Sequence, residues 1–495
     1  MKANDARRWW IRRCSQTMWA FFVGVPVGVV WASWWRATGI EWVLVAGAVI
    51  GVAVWMRSVW SWRVAGLLLG IVFGIVHMDR VSHDRLDWQA SFVEHTIKGE
   101  ASVSGEWSQN SFSASVPITW ERCFDSDCPA LRSLLTVPIV QPWVTGELVR
   151  VECRLTLPKN FSDDFDYVSY LAKEDIGTIC TPKKIPERLH EVSWESGLFH
   201  IRQQLERSLS ASVPEPENGL LAGLIFGGSQ RLPATLQNDF KKTGVSHIVA
   251  VSGYNVLIVA EILLLFGIVL GLWRSSATWF AVGGIWLFAL VTGAGASVLR
   301  AALMATIVLL ATQFGRLVAP WRLMILMLMP LLWFNPFLLR YDIGFQLSCI
   351  ATAVLLFWFL GDDERDDSSG WRMMYTLMKA TLMIEVFVAP LLLSQFGFVS
   401  TVSLLSNVLI LPFVPIAMAL AFVTAVSGLV LPWTLNVFAW LGYLLARYML
   451  EVVAYLGQQP WSTVSLPVSW WGIILWYAGW GWIWYRYQRK KRMNI

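Results

Sequence analysis

Charge is scarce in this sequence. Only 15% of its 495 residues are Asp, Glu, Lys or Arg while 56% are hydrophobic, a balance that excludes an ordinary soluble domain for most of the chain. Motifs for nucleotide and metal chemistry are also missing. There is no G-x-x-x-x-G-K-[ST], and the six histidines, His77, His83, His95, His190, His200 and His247, form no H-x-H pair and no H-E-x-x-H. Neither ATP hydrolysis nor a metal centre is expected, and no cofactor is implied. Cysteine is sparse and unevenly placed: Cys123, Cys128, Cys153 and Cys180 share one polar segment, which leaves only Cys14 and Cys349 elsewhere.

What the sequence has in abundance is long apolar runs. Crossing about 30 Å of hydrocarbon takes roughly 20 helical residues, and stretches of that kind recur along the chain. The expected fold class is an α-helical polytopic membrane protein of about twelve spans. Three fall early, near 17–35, 40–56 and 60–78, and nine late, near 246–271, 277–293, 296–314, 322–338, 343–360, 376–396, 403–428, 433–456 and 469–485. Many of the 31 Trp sit at the ends of these runs, where an amphipathic ring suits the headgroup layer. The basic stretch Arg7, Arg8, Arg12 and Arg13 precedes the first run without a convincing cleavage site, so the first helix reads as retained. With Arg57 and Arg63 after the second run, those residues put the N-terminus in the cytoplasm, and the tail Arg486 to Arg492 puts the C-terminus there too. The acidic loop 361–367 fits neither side.

Five regions follow: an N-terminal membrane region with three spans over 1–78, an exported domain over 79–195, an amphipathic interfacial helix region over 196–230, a membrane domain with about nine spans over 231–485, and a basic cytoplasmic tail over 486–495. The exported segment alternates apolar and polar residues, as in Ala101-Ser102-Val103-Ser104 and Leu148-Val149-Arg150-Val151-Glu152, between Gly, Pro, Asn and Asp, and reads as a small all-β domain. An exported compartment permits disulfides, and Cys123 and Cys128 read as closing a tight loop; a zinc site is the rival, though C-x4-C has no His nearby. Leu198, Ile201, Leu205 and Leu209 recur at helical spacing with Arg202, Glu206 and Arg207 between them, the pattern of an amphipathic helix on the membrane.

Three stretches carry polar residues where the chain is otherwise apolar. The first runs from Asn238 to Val256 and includes Asp239, Ser246, His247, Ser252, Gly253 and Asn255. Polar groups at membrane depth are tolerated where they line water or pair inside a bundle, and glycine permits close approach or a broken helix, so a pathway and an interhelical joint are both open readings. His247 and Ser252 are five apart on one helix, on different faces, which disfavours a nucleophile and base pair. The second stretch, Gly293 to Met304, has a small-residue face and Arg300, which contacts a phosphate in a conduit or snorkels to the interface. The third, Tyr341 to Ser348, holds Asp342 and Gln346 at i, i+4 on one face, with Arg300 as a prospective partner for Asp342. Glu261 and Glu385 are further carboxylates in or near apolar runs.

These stretches together resemble the ComEC family of competence proteins. Asp239 to Gly253 is similar to the x-F-x-x-T-G-[LV]-S-H-[LI]-[LV]-A-[IV]-S-G run of its hallmark, with Tyr254-Asn255 standing where Leu-His is more usual. Ser297 to Ala301 is similar to its S-x-x-R-A segment and Asp342 to Ser348 to its D-[VI]-G-F-Q-L-S segment, in the same order. Gly146 to Val151 and Asp164 to Ala172 resemble the family's exported OB-like domain. The resemblance implies a non-enzymatic inner-membrane channel that passes single-stranded DNA inward, with the β-domain outside. It implies membrane lipid and DNA as partners, together with an outer DNA receptor, a separate nuclease, a cytoplasmic helicase-like ATPase and self-association as a homo-oligomer. Some members end in a metallo-β-lactamase-like nuclease domain whose H-x-H-x-D-H signature this sequence lacks, so the nuclease is expected on another protein. Asp239, Ser246, His247, Ser252, Gly253, Asn255, Arg300, Asp342 and Gln346 become the candidates for the pathway. Trp107, Phe112, Trp120 and Trp143 are aromatics available to an OB-like barrel for base stacking, or for its core. The alternatives are a transporter or flippase for another anionic polymer or lipid, an intramembrane hydrolase using Ser252 and His247, and a scaffold that anchors the exported domain.

Overall fold

A computed structural model describes residues 3–34, 59–86, 96–104, 108–109, 113–124, 132–138, 146–160, 166–192, 196–228, 232–249, 252–293, 295–315, 320–355, 370–430, 435–466 and 468–493. The expected span near 40–56, Cys128, the aromatics Trp107, Phe112 and Trp143, and the acidic loop 361–367 lie outside the described residues. The chain divides into two compact units, Met1–Phe199 with Ile325–Gln346, and His200–Met324 with Leu347–Ile495.

In the first unit, helices α1 (Ala3–Trp34) and α2 (Val59–Leu86) pack closely along glycines spaced by four. Gly24 and Gly28 on α1 meet Leu67 and Ile71 of α2, and a Cβ at either would run into that helix's carbonyls. Small residues let backbones approach in lipid, where dispersion replaces the hydrophobic effect as the source of association. The polar segment between α2 and the later helices folds into a β-domain of β1 (Thr96–Val103), β2 (Ser108–Gln109), β3 (Ser113–Cys123), β4 (Arg132–Pro138), β5 (Glu147–Thr156), β6 (Ile176–Pro182) and β7 (Glu187–Val192). The order β1-β3-β4-β6-β5 returns to β1 through a β1–β5 pairing, so five strands close into a barrel; β4 and β6 run parallel.

Period-2 alternation decides which side chains fill that barrel. Val149, Val151, Cys153 and Leu155 of β5 point inward with Ile97, Ala101 and Val103 of β1. The residues between them face out and pair across the ladder: Lys98 stands opposite Glu152 and Glu100 opposite Arg150, the latter pair at 2.8 Å. Trp120 is buried, its indole N–H donating to Ser133 Oγ at 2.8 Å, and Ser133 shares a 2.7 Å hydrogen bond with Thr178; this Trp is core, not a stacking platform. Cys153 and Cys180 form a disulfide between the adjacent strands β5 and β6. Cys123 is also disulfide-bonded. Helix α3 (Tyr167–Ala172) lies between β5 and β6, capped by Asp166, whose carboxylate accepts from the Ser169 amide at 3.1 Å.

The second unit is helical. Helix α4 (Ser196–Ser212) leads into α5 (Glu217–Phe226), in which every residue is buried. A helix apolar on all sides has to be buried, and ten residues are too few to cross a bilayer. Within the segment 196–230, α4 is thus followed by a wholly buried helix. There follow α6 (Ala234–Lys242), α7 (Ser246–Val249), α8 (Gly253–Val269), α9 (Arg274–Val291) and α10 (Ala296–Gln313). Next come α11 (Pro320–Phe334), α12 (Leu338–Tyr341) and α13 (Ile343–Val354), where the chain passes through the first unit. The unit ends with α14 (Gly370–Phe396), α15 (Ser403–Ile410), α16 (Val414–Val430), α17 (Leu435–Gly457) and α18 (Trp470–Met493). Two short strands, β8 (Val399–Ser400) and β9 (Thr463–Val464), pair beside them.

Among the described residues five segments are long and apolar enough to cross a membrane: Arg63–His83, Arg274–Val291, Met378–Phe396, Ser403–Leu429 and Val437–Gly457. The expected single span over 246–271 is instead two helices, α7 and α8, with extended backbone at Ser252 (φ −104°, ψ 171°) before α8 begins at Gly253. That break has a physical cause in the sequence. Ser252 and Gly253 are poor helix-interior residues, and backbone freed there is tolerated only inside protein or beside water.

Candidate functional site

The hallmark stretch begins where α6 stops. Thr243 Oγ1 turns back to the Asp239 carbonyl at 2.8 Å, and Gly244, at φ +73°, closes the end with its amide on Lys241 O. A side chain at Gly244 would meet both the left-handed backbone penalty and Ser403 and Ser400, against which the turn is packed. Asp239 itself packs against Gly457 of α17. Beyond the turn, Ser246 and His247 are exposed on α7, with His247 Nδ1 3.2 Å from the Gly244 carbonyl.

Past the break, Asn255 is 0% exposed and its amide nitrogen donates to Leu224 O at 3.0 Å. That carbonyl belongs to the last turn of α5, whose end lacks intrahelical partners. Ser252 Oγ donates to Asn255 Oδ1 at 3.2 Å. Ser252 and His247 thus have separate hydrogen-bond partners, and their geometry is that of a joint between broken helices. The Leu-His of the resemblance becomes Tyr254-Asn255 here, and Asn255 does the joining.

The second stretch meets the first. Gly253 faces Ala301 of α10, leaving room for a methyl at 3.6 Å and little more, and α8, α9 and α10 share a core of small residues, Ala260, Ala289, Ala301, Ala302 and Ala305. Arg300, next to Ala301, is 2% exposed in the first turns of α10. A cation near a helix N-terminus opposes the macrodipole, so helix stability does not account for it. Arg202 of α4, which the sequence reading passed over as an interfacial residue, donates to the Val291 carbonyl at the end of α9 (3.3 Å) and to Glu206 (2.8 Å). Its partner segment is Val291 to Gly293, where Gly293 takes φ +91° at the start of the second stretch.

Two further polar contacts lie in this unit. Glu217 of α5 is buried and holds Arg447 of α17 at 3.1 Å, with Glu451 on the same guanidinium at 2.8 Å. Glu385 of α14 accepts from Ser403, while Glu261 is exposed on α8. Glu217 and Arg447 lacked a readable signal because they are 230 residues apart.

The third stretch belongs to the first unit as far as Gln346 and has local work. Asp342 Oδ1 caps α13 at the Phe345 amide (2.7 Å), and its Oδ2 lies 3.9 Å from Lys173 Nζ. Gln346 donates to the Leu339 and Arg340 carbonyls at 3.0 and 2.7 Å. Both side chains close the elbow between α12 and α13, and the ionic partner of Asp342 there is Lys173. Beneath them, burial raises the Tyr341 phenol above its ordinary range. At Asp166, burial pushes the carboxyl up, but hydrogen bonds from Ser169, Tyr341 and Asn160 outweigh it and hold the group below the usual carboxylate range.

A small β-barrel domain joined to many apolar helices, one of them broken around buried polar side chains, defines a multi-pass membrane protein. Residues 224–490 match the family described as Competence protein, and the chain belongs to that family. It is 27% identical over 249 residues to ComE operon protein 3 of Bacillus subtilis (strain 168), covering 50% of this chain and 31% of the relative. It is also 27% identical over 296 residues to the uncharacterized protein YcaI of Escherichia coli (strain K12), covering 54% and 36%. The matched stretches span about a third of each relative's own length. No solved structure matches the chain.

Proposed function

We propose that this protein is an inner-membrane channel that conducts single-stranded DNA into the cytoplasm during natural transformation. The carrying observation is the contact of Gly253 with Ala301, which brings the helix break at Ser252, with the enclosed Asn255, beside the α10 turn that carries the enclosed Arg300 inside an otherwise apolar helical unit. A polyanion crossing a low-dielectric slab needs a polar or cationic route, and broken helices supply one by presenting backbone and buried polar groups at depth. Membership of the competence family supports DNA as the cargo. In this reading His247 and Arg300 line the route and Asn255 holds the helix joint beside it, about twelve spans return both termini to the cytoplasm, and the β-domain faces outward. The five-stranded closed ring with its parallel β4–β6 pair supports an OB-like assignment for that domain. An outer receptor, a separate nuclease and a cytoplasmic helicase-like ATPase complete the proposed machinery.

The test is uptake of labelled DNA by cells lacking the protein and by cells re-supplied with it. Deletion should abolish cytoplasmic label while leaving surface-bound DNA, and re-supply should restore it. Unchanged uptake in the deletion strain overturns the proposal.

A further inference from the structure

Two stretches that the sequence singles out separately, Asp164 to Ala172 and Tyr341 to Ser348, touch in the first unit. Tyr341 donates its hydroxyl to Asp166 Oδ2 at 3.3 Å, across 175 residues of sequence. Around that contact lies a polar knot centred on Arg85, the penultimate residue of α2. Its guanidinium donates to Ala172 O at 2.8 Å, to Asn335 Oδ1 at 3.3 Å and to Phe334 O at 3.4 Å, and pairs with Asp175 at 2.8 Å. Its plane also lies over the Phe337 ring, 5.5 Å from the centroid. Asn335 then donates to Lys173 O at 2.7 Å, and Lys173 reaches Asp342 while sitting 4.4 Å over the Tyr170 ring.

The four acceptors that Arg85 engages lie in, or shortly after, the last turns of two helices. Ala172 O and Phe334 O lie in the last turns of α3 and α11, where carbonyls lack intrahelical partners, and Asp175 sits in a left-handed turn at φ 60°. A planar fork with five fixed donors satisfies several such groups at once in a set geometry, which an ammonium does not. Apolar packing joins the same parts: Ala172 and Phe337 share a buried cluster with Val25, Val29 and Met78.

We propose that Arg85, with Lys173 and Asp166, is a positioning residue that latches the β-barrel domain onto the α12–α13 elbow carrying Asp342 and Gln346. The latch fixes the barrel's orientation through α3 and does not touch the transported strand. Its effect on uptake rests on the channel reading, whereas its geometric part does not.

The experiment uses the full chain in lipid nanodiscs with Cys14 and Cys349 replaced by Ser and the native disulfides retained. Spin labels go at Lys184→Cys on the barrel and Arg340→Cys on the elbow. The parent should give one narrow inter-label distance; Arg85→Ala should broaden it severalfold, and Arg85→Lys should give an intermediate width. In cells, Arg85→Ala should lower cytoplasmic DNA about tenfold at equal membrane abundance and equal surface-bound DNA, with Arg85→Lys recovering part of the loss. A distance that stays narrow in Arg85→Ala overturns the latch. A broadened distance with undiminished uptake overturns the positioning role. If the parent itself transports no DNA, the channel reading fails and the distance still decides the latch. Should Arg85→Ala fail to accumulate, Asp175→Asn removes one partner and is expected to broaden the distance about twofold; an unbroadened distance in that variant also overturns the latch.

Discussion

The barrel and the helical unit sort their side chains in opposite senses. In β5 the apolar residues Val149, Val151 and Leu155 are enclosed and the arginines between them, Arg150 and Arg154, are exposed. In α8 the large apolar residues Leu265 and Ile262 are 64% and 45% exposed, while Asn255 is enclosed and the neighbouring α10 encloses Arg300. The difference teaches which solvent each part meets. Water rewards apolar burial, whereas lipid is as apolar as leucine and leaves the helix interior to small residues, hydrogen bonds and function.

The contrast is sharpest for arginine placed on an exposed apolar site. Ile262→Arg in α8 should cost about 3 kcal/mol of membrane insertion, read as loss of membrane-integrated protein. Ile185→Arg, at a position 78% exposed in the barrel domain, should stay within about 0.5 kcal/mol, read as thermal unfolding of that domain. Equal effects at the two sites would erase the distinction. Next in size, replacing Cys153 and Cys180 together by Ser should lower the barrel's stability by about 3 kcal/mol, measured by denaturant unfolding followed at Trp120.

A smaller loss is expected where polar burial serves the helices. Asn255→Leu strands the Leu224 carbonyl and should cost about 2 kcal/mol, seen as a lower melting temperature of the detergent-solubilised chain; a neutral result would mean that water replaces the amide. Smallest is Asp166→Ala, which removes the α3 cap for about 1 kcal/mol. Because the folded Asp166 carboxyl is held below its ordinary range, its contribution is complete above that range and is lost as pH falls through the depressed value. Parent and variant should therefore differ by the same amount from pH 7 to about pH 5, and converge only in stronger acid. Convergence already at pH 5 would contradict the stated hydrogen bonding.

What could be read beforehand follows from range in sequence. Apolar runs and the alternation at Ala101 to Ser104 and Leu148 to Cys153 are local periodicities, and they expose a membrane protein with a β-domain. The break before Gly253 was half legible, since Ser252 and Gly253 permit it but the surrounding apolar run favours one continuous span. The Cys153–Cys180 bond was not legible, because four cysteines in one segment leave connectivity open. Nor was Arg85, which looks like an ordinary basic flank of α2 until Asn335 and Asp175 are brought beside it. The cap that Asp342 makes on α13 beside Lys173 was likewise not legible, because Lys173 lies far from it in sequence.

The most direct test of the channel claim is conductance of purified protein in a planar bilayer, with single-stranded DNA added on the side of the barrel domain. The account predicts strand-dependent current blockades with the parent protein, none with duplex DNA, and at least a hundredfold fewer events with Arg300→Ala. Blockades that are equally frequent in Arg300→Ala, or passage of duplex and single strand alike, would contradict a route lined by that arginine.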